Sequence, residues 1–539
     1  TQSLFRPPPR HLCCETQPLA EVSRKPNNLW TFSPIPCKMM TLLLACFVVL
    51  LLIVFRKKGK PLPPGPWGLP VVGYAPFLNP MYPMKTLHNL VKKYGSVFSF
   101  KLGEKTVVII SDYKILRKVY GMAEFGGRPD SEIGHSVTFD KPIGLVNSSM
   151  GRSVFHRRFV LRHLKDFGVG KSEFDPILYK YANRLIELFR KNINNPKILL
   201  EFCLETSVMS ILWNIMLGSD FRLDDEIAMT TFKHKLKSVE DYCKIFFVGT
   251  LNPVLARWVP KSWYTLDKLQ EASNIFKMYA AVLCESLKQD PGSLNPEVLA
   301  DHYLLEMSEC ESRGQQTNFS DEDLLCCLTD LYVAGTETTA ETLRYALIYL
   351  IRNPNWQLEL QKEVDRVIGR KRAPRTEDKA KMPVLQAFIY ETLRCSTLTP
   401  LGIYHMTETD VQLNEYFIPK GAIVLGHLEY IHFDPDVFED PQKFNPSRFL
   451  DSNGNFLKHP AILSFLPGKR RCLGEYLANI ELFFFLSTFI QNFIFKPSPG
   501  EEIPADKRVI GQLAKPYPFT FSLEDRLTSE DTQNRRSLA

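Results

Sequence analysis

The residues best suited to chemistry stand together near the C-terminal end of the chain. They read Phe465-Leu466-Pro467-Gly468-Lys469-Arg470-Arg471-Cys472-Leu473-Gly474 and run at once into the helix-forming Glu475-Tyr476-Leu477-Ala478. A cysteine just ahead of a helix start meets the positive end of the dipole and the unpaired N–H groups of the first turn, and both favour the thiolate. Gly468 and Gly474 carry no Cβ, so the backbone can turn tightly and approach something flat and bulky. Arg470 supplies a fixed planar cation suited to a carboxylate such as a haem propionate. Together these are what an axial thiolate ligand to haem iron requires. A lone cysteine is more often plain core; here the residues around it decide otherwise.

A second grouping, Ala334-Gly335-Thr336-Glu337-Thr338-Thr339, falls in the middle of an apolar segment. That segment predicts one helix from about Asp323 to Ile351, stopped by Asn353-Pro354. At 1.5 Å per residue it spans ~43 Å, enough to cross a whole domain. Gly, Glu and three Thr at its centre lower helix propensity. Threonine hydroxyls bond back to preceding carbonyls and bend a helix, which opens a groove. Dioxygen and water fit such a groove, with Thr338 donating to the dioxygen and Glu337 feeding protons through water. Taken alone, the same residues would also serve as packing.

The pattern F-x-x-G-x-R-x-C-x-G resembles the cysteine loop of cytochromes P-450, the haem-thiolate monooxygenases, and Glu337-Thr338 is similar to that family's acid–alcohol pair. Glu391 and Arg394 match its E-x-x-R element, and Pro446-Ser447-Arg448-Phe449 its later P-x-R-F, with Ser447 where an acid is common. The resemblance runs from about Pro61 to Phe521 with the motif order intact, and is closest to microsomal members of the drug- and hormone-metabolising clan. It implies a mainly α fold with a small β-rich lobe, holding haem b between the long helix and the Cys472 loop. Cys472 would be the axial ligand, with Phe465, Gly468, Arg470, Gly474, Arg157 and His405 around the cofactor. Glu337 and Thr338 would be catalytic, with dioxygen as co-substrate. The E-x-x-R and P-x-R-F elements would lock the proximal core. One departure stands out: where the family carries Trp four residues before Arg157, this chain has Ser153, which implies one propionate donor fewer or a substitute from elsewhere.

The resemblance also implies an electron donor, the membrane-bound NADPH-dependent flavoprotein reductase, with a cytochrome b-type donor as a second source. No strand-bounded G-x-G-x-x-G occurs, and Gly168-Val169-Gly170-Lys171-Ser172 lacks the first glycine of a phosphate loop, Lys165 standing there. Electrons must then come from another protein, and Lys469, Arg470 and Arg471 point to an acidic one. The substrate is expected to be a lipophilic small molecule. Two other readings are a haem-thiolate peroxide isomerase or dehydratase, which has no need of Glu337-Thr338, and a haem-binding sensor without turnover.

Around these groups the chain must supply a scaffold. With 539 residues and 45% apolar content it can bury a large core; its net charge of +7, without a long basic run, excludes nucleic acid as the implied partner. The twelve cysteines show no C-x-x-C, and the pairs Cys13-Cys14 and Cys326-Cys327 suit neither a disulfide framework nor zinc. Residues 39–55 are uncharged and are followed by Arg56, Lys57, Lys58 and Lys60, which predicts a signal anchor with the catalytic body on the cytosolic side of the endoplasmic reticulum membrane. Residues 1–38 are proline-rich and aperiodic, and read as leader ahead of a natural start at Met39. Residues 56–66 read as a basic stop and proline hinge, 67–523 as the monooxygenase domain and 524–539 as a disordered tail. Val97–Lys101 and Thr106–Ile110 predict a β-hairpin, Phe417–Leu425 further strand, and the apolar stretch 246–259 a dip into the membrane interface.

Overall fold

The computed structural model describes residues 61–79, 83–129, 141–148, 150–200, 203–218, 294–314, 318–510 and 513–526, with five isolated helical positions between 274 and 285. The readings on residues 1–60, including the anchor at 39–55, lie outside the described residues, as does the apolar stretch 246–259. Among the described residues, no helix is long and apolar enough to cross a membrane.

Helices dominate, and six of them frame the chemistry: α1 (Met150–Asp166), α2 (Asp175–Lys191), α3 (Cys203–Leu217), α4 (Asp321–Arg352), α5 (Pro383–Ser396) and α6 (Glu475–Asn492). α4 is the long helix the sequence predicts, two residues longer at its start because Ser320 caps it. The Ser320 hydroxyl accepts from Asp323 N–H, and Asp321, Glu322 and Asp323 complement the dipole in the first turn. Asn353-Pro354 ends it, since proline cannot continue the hydrogen-bond ladder. From Ala340 to Ile351 α4 is buried on nearly every face, the mark of a helix at the centre of a core. From Ile480 α6 is buried all round as well, and its Phe489 joins Phe189 of α2 with Phe493, Phe495 and Phe521 in a cluster of ring contacts.

The small β-rich lobe is also present. β1 (Val97–Leu102) and β2 (Lys105–Ile110) make the expected hairpin, turned more tightly than predicted, at Gly103-Glu104. β2 runs parallel to β4 (Ile423–Gly426), which pairs antiparallel with β3 (His405–Met406). The four strands carry His405 onto the same sheet as the hairpin. Near the C-terminus, β5 (Phe493–Pro497), β6 (Arg508–Ile510), β7 (Ala514–Pro516) and β8 (Thr520–Asp525) form two further small sheets, β6 with β7 and β5 with β8. Glu524 and Asp525, expected to begin a disordered tail, are paired in β8 with Ile494 and Phe493. The prolines at 61–64 are docked: Ser99 of β1 donates its N–H to Pro64 O (2.8 Å) and its hydroxyl to Pro63 O (2.7 Å).

Candidate active site

Between Phe465 and α6 the chain closes into a compact loop. Cys472 N–H donates to Phe465 O (2.8 Å) and Arg471 N–H to Gly468 O (3.2 Å). The turn needs positive φ at Leu466 (+53°) and Gly468 (+85°). At Gly468 a Cβ would fall 1.8 Å from the Tyr120 carbonyl oxygen, so this glycine is required by the close approach of another stretch of the chain. At Gly474, the N-cap of α6, an added Cβ would meet open space. Cys472 is solvent-accessible. Protein packed around it pushes its thiol up, while the Gly474 N–H, Arg157 and Arg471 act the other way.

Arginines converge on one side of this loop. Arg470 is buried and donates Nε–H to Gly126 O (2.9 Å), Nη2–H to Ser148 O (2.6 Å) and Nη1–H to the Ser153 hydroxyl, which itself donates to Leu145 O (3.1 Å). Arg128 donates to Val146 O (3.1 Å) and Tyr404 O (2.5 Å), and Arg157 to Arg471 O (2.6 Å). Carbonyl oxygens satisfy the N–H groups but cancel no charge. No carboxylate among the described residues ion-pairs with any of the three. Burial, reinforced by the neighbouring guanidiniums, pushes Arg128 down to about 9 and Arg470 down to about 10, with Glu408 opposing the fall at Arg470. His405 lies against them, 1% exposed and stacked on Tyr120 at 3.7 Å. Burial, then Arg128 and Arg470, hold it neutral. Its Nδ1 faces Ile403 O (3.1 Å), while Nε2 is buried with no partner. A group with two carboxylates would neutralise the cations and let this imidazole take up its second proton. The propionates of haem b meet that need, and the residues fit the cofactor.

On α4, Thr338 Oγ1 donates to Ala334 O (2.7 Å) and Thr342 Oγ1 to Thr338 O (2.8 Å), the back-bonding expected of this stretch, while the helix runs through unbroken. Glu337 is buried and ion-paired with Lys515 of β7. The E-x-x-R element closes as the sequence predicts. Arg394 grips Glu391 through Nε (2.7 Å) and Nη2 (2.8 Å), and Arg448 adds Nε at 3.1 Å.

Two expectations are refined. Of Lys469, Arg470 and Arg471, read as an acidic partner's surface, Arg470 points inward; Lys469 and Arg471 are exposed, with Arg471 paired to Glu475 at 2.5 Å. Ser153, read as a missing donor, is the hydroxyl that holds Arg470. Arg128 and Lys515 escaped notice in the sequence, because neither stands in a spaced motif.

A cysteine loop at a helix cap, a cationic cluster without a carboxylate ion pair among the described residues and a central helix with acid and alcohol together fit a haem-thiolate oxygenase. Residues 63–522 match the family model described as Cytochrome P450, and the chain belongs to that family. Its relatives include Cytochrome P450 2L1 of Panulirus argus, 32% identical over 469 residues (86% of this chain, 94% of that one). Cytochrome P450 2C14 of Oryctolagus cuniculus is 34% identical over 474 residues (86% and 94%). The farnesoate epoxidase of Bombyx mori is 32% identical over 505 residues (91% and 99%). The chain is therefore a monooxygenase that uses haem b, with dioxygen as co-substrate.

Proposed function

We propose that this enzyme inserts one oxygen atom into a lipophilic small molecule, with electrons from a membrane-bound NADPH-dependent flavoprotein reductase. The reaction balances as RH + O2 + NADPH + H+ → ROH + H2O + NADP+. The observation that carries the reading is the pairing of the Cys472 loop with three arginines that make no ion pair with a carboxylate among the described residues. Cys472 would ligate the haem; Arg128, Arg157, Arg470 and His405 would hold its propionates. Haem, when bound, supplies a thiolate-ligated iron at which O–O cleavage is favoured.

The remaining work falls to the chain. Thr338, whose hydroxyl donates to Ala334 O in this structure, would turn that donor toward dioxygen, and Glu337 would pass protons toward it from the α4–β7 side. A peroxide isomerase has no use for that supply, so a buried acid beside an alcohol favours the monooxygenase. Exposed Lys469 and Arg471 offer an acidic reductase a docking charge close to the thiolate. The uncharged run 39–55, followed by Arg56, Lys57, Lys58 and Lys60, supports attachment to the endoplasmic reticulum membrane with the body in the cytosol. A body held there receives its substrates from the lipid phase. The silkworm relative is named for a farnesoate, a substrate of that kind.

The test is the carbon-monoxide difference spectrum of the reduced, membrane-bound protein beside Cys472→Ser. The long-wavelength Soret band of a thiolate–iron–CO complex is expected in the wild type and absent from the variant. Haem bound without that band in the wild type would overturn the assignment.

A further inference from the structure

Away from the arginine cluster, the molecule buries a second group of charges, of which the family reading uses Glu337 alone. Glu337 on α4 is ion-paired with Lys515 on β7. One turn further along α4, Glu341 bonds Arg344 at 2.7 Å, and Arg344 reaches Glu205 of α3 at 2.6 Å. The three carboxyl side chains are 4–5% exposed, Arg344 16% and Lys515 18%. Among the described residues three buried acids thus face two cations, an excess of one negative charge where desolvation makes charge expensive. The group relieves part of that excess by protonation. Burial pushes Glu341 up to about 7 against the pull of Arg344, with Glu205 and Glu337 reinforcing the rise and Lys515 opposing it.

Lys515 is delivered by rigid backbone. Its neighbour Ala514 donates N–H to Leu398 O (2.7 Å) and accepts from the Tyr345 hydroxyl of α4 (2.7 Å). Pro516 is in register with Arg508 across the β6–β7 pair. The ammonium is therefore held against α4 from both sides of its own residue. Among the described residues, Tyr332 and Glu341 on α4 itself also act on Glu337, with Arg344 and Glu205 beyond Glu341. On α6, Glu481 bonds Thr339 and is kept neutral by burial. Lys515 is the cation among these that touches the Glu337 carboxylate.

We propose that Lys515 is a positioning residue for proton delivery: its ammonium fixes Glu337 as a carboxylate in the resting enzyme and sets the pH at which Glu337 takes up a proton to pass toward Thr338. This rests on the assignment of Glu337 as the proton-supplying acid. Without Lys515 the excess buried negative charge grows by one, and Glu337 becomes a neutral acid at a pH where the native enzyme keeps it ionised.

Two readouts test this on the full-length protein in lipid vesicles, with K515M, K515Q, K515R and E337Q, each first shown to hold thiolate-ligated haem by its carbon-monoxide spectrum. The first is the infrared carbonyl band of protonated carboxyls against pH, which needs no turnover; the Glu337 band is the one missing in E337Q. K515M and K515Q should move its appearance up by at least one pH unit, tenfold in proton affinity, while K515R stays with the wild type. The second is the pH profile of the fraction of NADPH electrons recovered as hydrogen peroxide, with the reductase and no added substrate. It should shift in the same direction and by a similar amount. K515Q keeps a hydrogen-bond donor but no charge, so a K515Q band and profile that overlay the wild type would overturn the proposal even if K515M failed to fold. An E337Q peroxide fraction equal to the wild type at every pH would instead overturn the assignment of Glu337 itself.

Discussion

The proximal lock offers a sharp quantitative test. Glu391 is fully buried and its carboxylate accepts four hydrogen bonds: two from Arg394 (2.7 and 2.8 Å), one from Arg448 (3.1 Å) and one from the Asn445 N–H (2.8 Å). Arg394 is equally buried; its other donors reach His432 O (2.7 Å) and Pro441 O (2.8 Å), and its guanidinium lies over Phe433 and Phe438. The Glu391→Gln substitution keeps the shape and removes the charge. It also turns an amide NH2 toward guanidinium N–H groups, leaving one fully and one largely buried cation uncompensated. Breaking a buried pair in this way costs about 3–5 kcal/mol, two to nearly four decades in the folding equilibrium at ~1.4 kcal/mol per decade. Against a total stability on the order of 5–15 kcal/mol, that is a large fraction. The assay is urea unfolding followed by tryptophan fluorescence, with Glu359→Gln as control. Glu359 pairs with Lys362 on the surface, both more than half exposed, and its loss should cost less than about 0.5 kcal/mol. An E391Q midpoint within about 1 kcal/mol of the wild type would refute the view that this charge holds the loop 54–57 residues further along the chain.

Gly468→Ala should destabilise the fold by more than about 2 kcal/mol, because φ is +85° and the new Cβ would lie 1.8 Å from Tyr120 O. Gly121→Ala, where a Cβ meets nothing within 4 Å, should not, and equal unfolding midpoints for the two would sink the steric account. Acid should weaken the protein through His163, which burial and then His302 push down to about 4, its Nδ1 lying 3.4 Å from that of His302. With the folded value below the unfolded one near 6.5, the unfolded chain binds more protons between them. Stability is therefore full above about 6.5 and falls as pH drops toward 4, by no more than about 2 kcal/mol between pH 7 and 5. His163→Gln should flatten this part of the urea-midpoint profile; an unchanged slope would place the acid sensitivity elsewhere.

The groups legible in the sequence are those whose partners are close along the chain. Cys472, Gly468 and the α6 cap belong to one loop; Glu391 and Arg394 are one turn apart; α4 is bounded by its own Ser320 cap and Asn353-Pro354 stop. The groups that escaped are set by tertiary approach. Arg470 meets Gly126 and Ser153 across 344 and 317 residues, and Arg128 meets Tyr404 across 276. Ser153 illustrates the limit most clearly: its type alone reads as a lost donor, and only the arrival of Arg470 gives its hydroxyl an acceptor role. Lys515 likewise becomes informative only when β7 is laid against α4.

Charge balance links the two buried clusters and separates their chemistry. Arg128, Arg157 and Arg470 present three cations without a carboxylate partner among the described residues, and arginine cannot shed its proton at physiological pH. An anion bound beside them would relieve that imbalance, as the propionates of haem would. Among the described residues Glu205, Glu337 and Glu341 pair with Arg344 and Lys515, and a carboxyl near pH 7, Glu341, can relieve the excess by taking a proton. On the proposed role of Glu337, that imbalance would let the α4–β7 side take up and release protons. The cations would therefore hold a dianionic cofactor, and the acids beside the helix would supply the protons that dioxygen chemistry needs, as proposed above. Each cluster carries the opposite of what it must attract.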